Sequence, residues 1–300
     1  AHITGARELT VVPDGALHYV PFGALRNPAS ADSPWLIQQV AIEIAPALRL
    51  ANWRNAPPPR TWAESRMLLV ADPVYGADDP RLTRKTSTRT SSPLTGLLRT
   101  RSAFDVSKLE RLTSSAREAA QIRSIPGLRH VDVLEGLDAT RARLLAQDLS
   151  AYRFIHIASH GIIDSEIPQL SALILGAWDR TGPVADQHVR AADLLARTFD
   201  AETIVLSACD TALGREIAGE GLMGLQYAAL ARGARSVVAS LWPVPDAIAA
   251  DVMTDMYRYI TVEGYPVARA LGAAIRAELS RAPSLDPALW GPFAVYVAGN

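Results

Sequence analysis

TIVLSACDTALGREIAGEGLMGLQYAALARGARSVVASLW occupies residues 203–242. Its two ends, TIVLSAC and SVVASLW, are short apolar runs rich in β-branched residues, the composition of strands buried on both faces. Between them LMGLQYAALARG (222–233) is built mostly from helix formers and stops at a glycine. Strand, helix and strand in that order predict a parallel pair joined by a crossover helix.

The same alternation extends in both directions. Upstream, MLLVADP (67–73), HVDVLEG (130–136) and RFIHIASHG (153–161) read as strands. SAREAAQIRSI (115–125), ATRARLLAQDL (139–149) and AADLLARTF (191–199) read as helices. Downstream, DAIAADVMTDMYRYI (246–260) and PVARALGAAIRAELSR (266–281) are helical, and FAVYVAG (293–299) is a last strand. This order predicts an α/β fold with a mainly parallel central sheet flanked by helices on both faces.

The first sixty residues read differently. ELTVV (8–12) is a strand, and PDGA (13–16) is a turn in which Pro13 fixes one torsion and Gly15 is free to take positive φ. LHYVPF (17–22) then returns, so an N-terminal β-hairpin is expected. WLIQQVAIEIAPALRLANW (35–53) continues as strand and then helix after Pro46, and RNAPPPR (54–60) is a linker. Residues 1–60 are therefore an N-terminal segment and 61–300 the core. The polar, basic, Ser- and Thr-rich run at 81–101 marks residues 74–115 as a mobile surface loop.

Bulk composition narrows the function. The 300 residues are 49% hydrophobic and 20% charged, ordinary for a globular protein. Thirty basic against thirty-one acidic residues leave a net charge of −1, which gives no electrostatic reason to expect nucleic acid or a membrane surface as partner. No uninterrupted apolar run reaches the roughly 18 residues a membrane span takes. The single cysteine excludes an internal disulfide or a thiolate cluster and suits a reducing cytoplasm. The chain begins with Ala1 rather than Met, so a fragment or mature form with an upstream part is expected.

In open α/β sheets the functional site lies beyond the carboxyl ends of the strands. The run at 153–161 ends in His160 and Gly161, and the run at 203–209 ends in Cys209. If these strands are neighbours, thiol and imidazole emerge at one sheet edge and form a nucleophile–base pair. A free thiol has a pKa near 8.5, so a histidine that lowers it or takes its proton is needed at neutral pH. The backbone N–H groups of Gly161 and Cys209 are candidate oxyanion donors, and glycine lets a substrate carbonyl approach closely. The separation of 49 residues between His160 and Cys209 is near the roughly 50 seen in caspases.

On several stretches the chain resembles the CHAT domain, a caspase-like peptidase module often found after tetratricopeptide repeats. These are VVPDGALHYVPFGAL, FIHIASHGIIDSEIPQLSALIL, IVLSACDTALG, GEGLMGLQYAALARGARSVVASLWPV and LWGPFAVYVAG, which cover nearly the whole chain apart from the 74–115 loop. The resemblance implies a caspase–hemoglobinase-like fold and a Cys–His endopeptidase with Cys209 as nucleophile and His160 as base. It also implies a protein or peptide substrate and control by an upstream repeat or sensor region. The strand VVASLWP would hold an extended peptide by β-augmentation, with Ser240 and Trp242 lining subsites. Ser207, two residues before the nucleophile, is neutral where relatives that cut after basic residues carry Asp, which argues against a strict Arg or Lys requirement. Asp164 and Asp210 would reverse this only if they pointed into the cleft; a turn or capping role fits both better.

Two other readings compete. A caspase-like domain can serve as a catalytically silent scaffold that only docks partners. GEGLMG (219–224) also matches the glycine pattern of a dinucleotide-dependent oxidoreductase, with Asp246 near the expected ribose-binding position. That pattern should follow a strand directly, and CDTALGREIA intervenes, so no cofactor is expected. His156 and His160, four apart on a strand, would lie about 13 Å from each other at roughly 3.3 Å per residue and cannot share an ion. No catalytic metal is expected. His18, His130 and His188 read as surface or structural residues.

Overall fold

The computed structural model describes residues 5–27, 34–45, 65–82, 106, 109–162, 171–208 and 220–298. In chain order the elements are β1 (Glu8–Val11), α1 (Leu36–Gln39), β2 (Ala41–Ile44), β3 (Arg66–Ala71), α2 (Thr113–Arg123) and β4 (His130–Glu135). Next come α3 (Arg141–Leu145), β5 (Phe154–Ile162), β6 (Ala172–Ile174), β7 (Trp178–Asp179), β8 (Gly182–Pro183), β9 (His188–Arg190) and α4 (Ala191–Leu195). The chain closes with β10 (Thr203–Ala208), α5 (Glu220–Ala231), β11 (Ser236–Ser240), α6 (Asp246–Thr261), α7 (Val267–Arg281), α8 (Pro287–Trp290) and β12 (Phe293–Val297).

The main sheet runs β1-β2-β12-β11-β10-β5-β3-β4. All its neighbours pair in parallel except β11 with β12. Alternate residues of the central strands enter two separate cores. Met67, Leu69, Phe154, Val205 and Val238 face α2, α6 and α7. Leu68, Val70, Ile155, Ile204, Leu206 and Val237 face the side covered by α4 and α5. A strand covered on both faces needs no polar alternate residue, which is why these segments read as unbroken apolar runs. Each fully buried Leu, Ile or Val contributes about 1.5–3 kcal/mol, so the central strands are the fold's anchor.

The middle of the sheet sets where a site can form. After β3 the chain places β4 on one side and returns to place β5, β10 and β11 on the other. The strand order therefore reverses between β3 and β5, and the crevice beyond their carboxyl ends is a topological switch point.

The N-terminal hairpin does not form. β1 pairs in parallel with β2, Glu8 opposite Ala41, and residues 15–19 wind into a 3-10 turn after the Pro13–Gly15 bend. The apolar residues of 17–22 satisfied the strand pattern, but β2 supplies the partner from farther along the chain. The N-terminal segment thus extends the core's own sheet. The helical stretch expected after Pro46 and the 54–60 linker lie outside the described residues. So does most of the 74–115 loop, but its two ends are tied down: Tyr75, Arg81 and Arg111 all make bonds to the sheet edge.

Candidate active site

β5 and β10 lie side by side in parallel, from Thr203 opposite Phe154 to Ala208 opposite Ser159. The next residue in sequence is His160 on one strand and Cys209 on the other. Cys209, Asp164 and Asp210 lie outside the described residues. His160 does not: β5 continues past the parallel ladder and pairs antiparallel with β6, His160 opposite Ile174 and Gly161 opposite Leu173.

The His160 side chain is fully buried. Its Nε2 lies 2.7 Å from the carbonyl oxygen of Glu110. A carbonyl can only accept, so Nε2 carries a proton, and in the neutral form of the ring the lone pair is on Nδ1. Nδ1 has no hydrogen-bond partner among the described residues. Tyr75 holds the same residue from a second direction. Its ring centre is 5.0 Å from that of His160, tilted by 55°. Its hydroxyl accepts from the His160 backbone N–H at 3.3 Å and donates to the Ile174 carbonyl at 3.3 Å. Burial pushes the Tyr75 phenol pKa up, which keeps it a neutral donor.

His160 opens on a cleft of about 500 Å³ that is also lined by Glu110, Arg111, Ser114, Val244 and Asp246. Asp246 is engaged there, accepting from the Ser114 backbone N–H at 2.7 Å at the start of α2. That bond, and the place of Glu220–Gly224 in the first turns of α5, give these residues local structural roles.

The remaining candidates are distributed. Ser207 is buried opposite Ala158, and Ser240 is buried with its hydroxyl unpartnered among the described residues. Trp242 is half-buried and its indole N–H donates to the Ala288 carbonyl at 2.8 Å. None of the three lines the His160 cleft among the described residues. His156 belongs to the opposite end of the problem: its Nε2 is 3.0 Å from Glu118 Oε1, a contact too poorly aligned for a hydrogen bond, and its Nδ1 is 3.4 Å from the Tyr257 hydroxyl. His188 bonds to Asp186 through Nδ1 at 3.1 Å.

Sequence reasoning missed Tyr75, the Glu110 carbonyl and Asp72. Asp72 is the residue directly after β3, and it carries ion pairs to Arg81 and Arg111, each at 2.6 Å. The signal for Asp72 was present: MLLVADP ends at the same carboxyl edge as RFIHIASHG, and the same rule applied to it marks Asp72. A carbonyl acceptor has no sequence signature.

A family model described as the CHAT domain matches residues 1–300. Tetratricopeptide repeat protein 28 of Mus musculus is 25% identical over 327 residues, covering 96% of this chain and 12% of the relative. Its Homo sapiens counterpart is 22% identical over 316 residues, with the same coverage of 96% and 12%. The chain therefore spans about 12% of the length of these curated relatives. Among solved structures, the Arg-specific cysteine proteinase gingipain R superposes with a TM-score of 0.54 at 12% identity, covering 97% of this chain and 62% of that one. The Saccharomyces cerevisiae separase–securin complex gives a TM-score of 0.50 at 14% identity, covering 94% and 15%. At these identities the likeness is one of fold, and the fold is caspase-like.

Proposed function

The chain belongs to the CHAT domain family, and on that premise we propose that it is a Cys–His endopeptidase that cleaves a protein substrate. The observation that carries this reading is the His160 ring, whose Nε2–H is held by the Glu110 carbonyl and whose buried Nδ1 has no partner among the described residues. With Nε2 donating, the neutral form of the ring can accept a proton only at Nδ1, and the residue lines a cleft.

In this mechanism the Cys209 thiol gives its proton to His160 Nδ1, and the thiolate sulfur attacks the scissile carbonyl carbon. The carbonyl electrons move to oxygen, where the N–H groups of Gly161 and Cys209 stabilise the charge. Collapse breaks the C–N bond, and the proton on Nδ1 goes to the leaving amine. Water, deprotonated by the same Nδ1, then splits the thioester and restores the thiol. β11 is paired on both sides, with β10 and β12, so it has no free edge for the β-augmentation expected along VVASLWP, and Ser207 and Ser240 are buried inside the sheet; Trp242, two residues past β11, is the proposed substrate contact of the three. A second part of the reading is that an upstream repeat region holds the activity latent; the curated relatives are named for tetratricopeptide repeats and are far longer than this chain.

The test is a mass-spectrometric digest of a proteome-derived peptide library. Cleavage by the wild type that disappears in both Cys209→Ala and His160→Ala is the expected result. Cleavage that survives either substitution would overturn the assignment.

A further inference from the structure

We propose that Asp72, acting through Arg111, is a positioning residue that fixes the Glu110 carbonyl and so holds His160 in the Nε2–H tautomer. The inference rests on the peptidase reading above for its catalytic meaning, though not for its geometry.

Asp72 stands at the switch point between β3 and β5 and is 2% exposed. Its φ is +49°, a left-handed value that a residue with a side chain rarely adopts. Such backbone costs on the order of 1–3 kcal/mol and persists where the surroundings enforce it. The surroundings here are a set of charges. Arg111 donates to both carboxylate oxygens of Asp72, Nε to Oδ1 at 2.8 Å and Nη2 to Oδ2 at 2.6 Å. Arg81 approaches the same carboxylate at 2.6 Å, donates to the Asp72 carbonyl at 2.9 Å and is itself paired with Asp79 at 2.6 Å. Two carboxylates therefore balance two guanidiniums. The two-point fork to Arg111 fixes direction as well as distance.

A second tether holds the same segment. The Asp72 backbone N–H donates to the Ser115 hydroxyl at 3.0 Å, and that hydroxyl donates to the Leu112 carbonyl at 2.6 Å. Residues 111–115 are thus fastened at both ends to one residue of the sheet edge. Glu110 is the next residue along, and its carbonyl is the acceptor for His160 Nε2. If the fastening loosens, the carbonyl drifts and His160 loses its reason to prefer the Nε2 proton. In the other tautomer Nδ1 carries a hydrogen and cannot accept one from a thiol. A bond that merely stabilised the loop would leave the proton's position on His160 unchanged, and this separates the two roles.

The experiment uses the 300-residue chain labelled with 15N-histidine, with His160→Ala to assign the His160 signals. Asp72→Asn keeps size and tolerates left-handed backbone while removing the charge; Arg111→Ala removes the fork from a partly exposed side chain that the core does not need. The wild type should show one nitrogen protonated, and both variants should move the two His160 signals toward a tautomer average. Alkylation of Cys209 by iodoacetamide at neutral pH should slow about tenfold in both, and Arg111→Lys should recover part of each change. Unchanged His160 signals in Asp72→Asn and Arg111→Ala, with native circular dichroism, would overturn the proposal. A shift in those signals in a protein that cleaves no peptide would instead uphold the positioning role and count against the peptidase reading alone.

Discussion

His160 Nε2 and the carbonyl oxygen of Glu110 meet at 2.7 Å across a sequence gap of fifty residues. The bond assigns the imidazole proton without any contribution from the thiol. On the proposed peptidase reading, the scaffold itself prepares His160 as a base.

A prepared base should be visible in the reactivity of the only cysteine. Iodoacetamide should modify Cys209 faster in the wild type than in His160→Ala near neutral pH. The midpoint of the rate against pH should rise toward the free-thiol value of about 8.5 in the variant. Equal rates and equal midpoints would mean that no pairing exists.

Tyr75→Phe should be costly for its size. It keeps the ring against His160 but removes the hydroxyl that accepts from the His160 N–H and donates to the Ile174 carbonyl. Leaving a buried donor unsatisfied costs about 1–3 kcal/mol. Urea unfolding followed by circular dichroism should show that loss; a change below about 0.5 kcal/mol would show that the strand finds another partner.

Glu118→Ala tests the buried contact beneath the sheet. Glu118 and His156 side chains are each 1% exposed and 3.0 Å apart. Replacing the buried carboxyl side chain leaves a void against the His156 ring, and a loss of about 1–3 kcal/mol is expected in denaturant titrations. Because Tyr257 also touches His156, Tyr257→Phe combined with Glu118→Ala should be non-additive.

Acid stability should depend on Asp186. Burial raises its pKa, but hydrogen bonds from Arg190 and His188 outweigh this and bring it from the ordinary 3.8 to about 2. A carboxylate depressed in the folded state stabilises it above the unfolded value and ceases to do so as the pH falls through the folded one. Wild type should therefore exceed Asp186→Asn in stability above about pH 4, and the difference should fade as the pH approaches 2. Unfolding curves across that range check the sign.

The fold was readable because its central strands obey a simple rule. Residues 67–71, 154–158, 203–206 and 236–240 are buried on both faces and read as continuous apolar segments. The two long helices at Asp246–Thr261 and Val267–Arg281 were readable from their apolar stripes. The N-terminus misled because pairing is a long-range property: LHYVPF had the local look of a returning strand, but β2 offered β1 a parallel partner. For the site, the histidine was legible from its place at a strand end. What surrounds it was not. Tyr75 and Glu110 reach His160, and Arg111 reaches Asp72, from a stretch whose composition resembles a loose loop, and a main-chain acceptor carries no residue identity at all.

The left-handed backbone at Asp72 has a consequence for how this sequence can drift. Glycine, asparagine and aspartate are the residues most at ease in that conformation, and aspartate alone among them carries a charge. A lineage that gave up both Arg81 and Arg111 would thus be free to settle on glycine at position 72. One that kept either arginine would be bound to the acid, generation after generation.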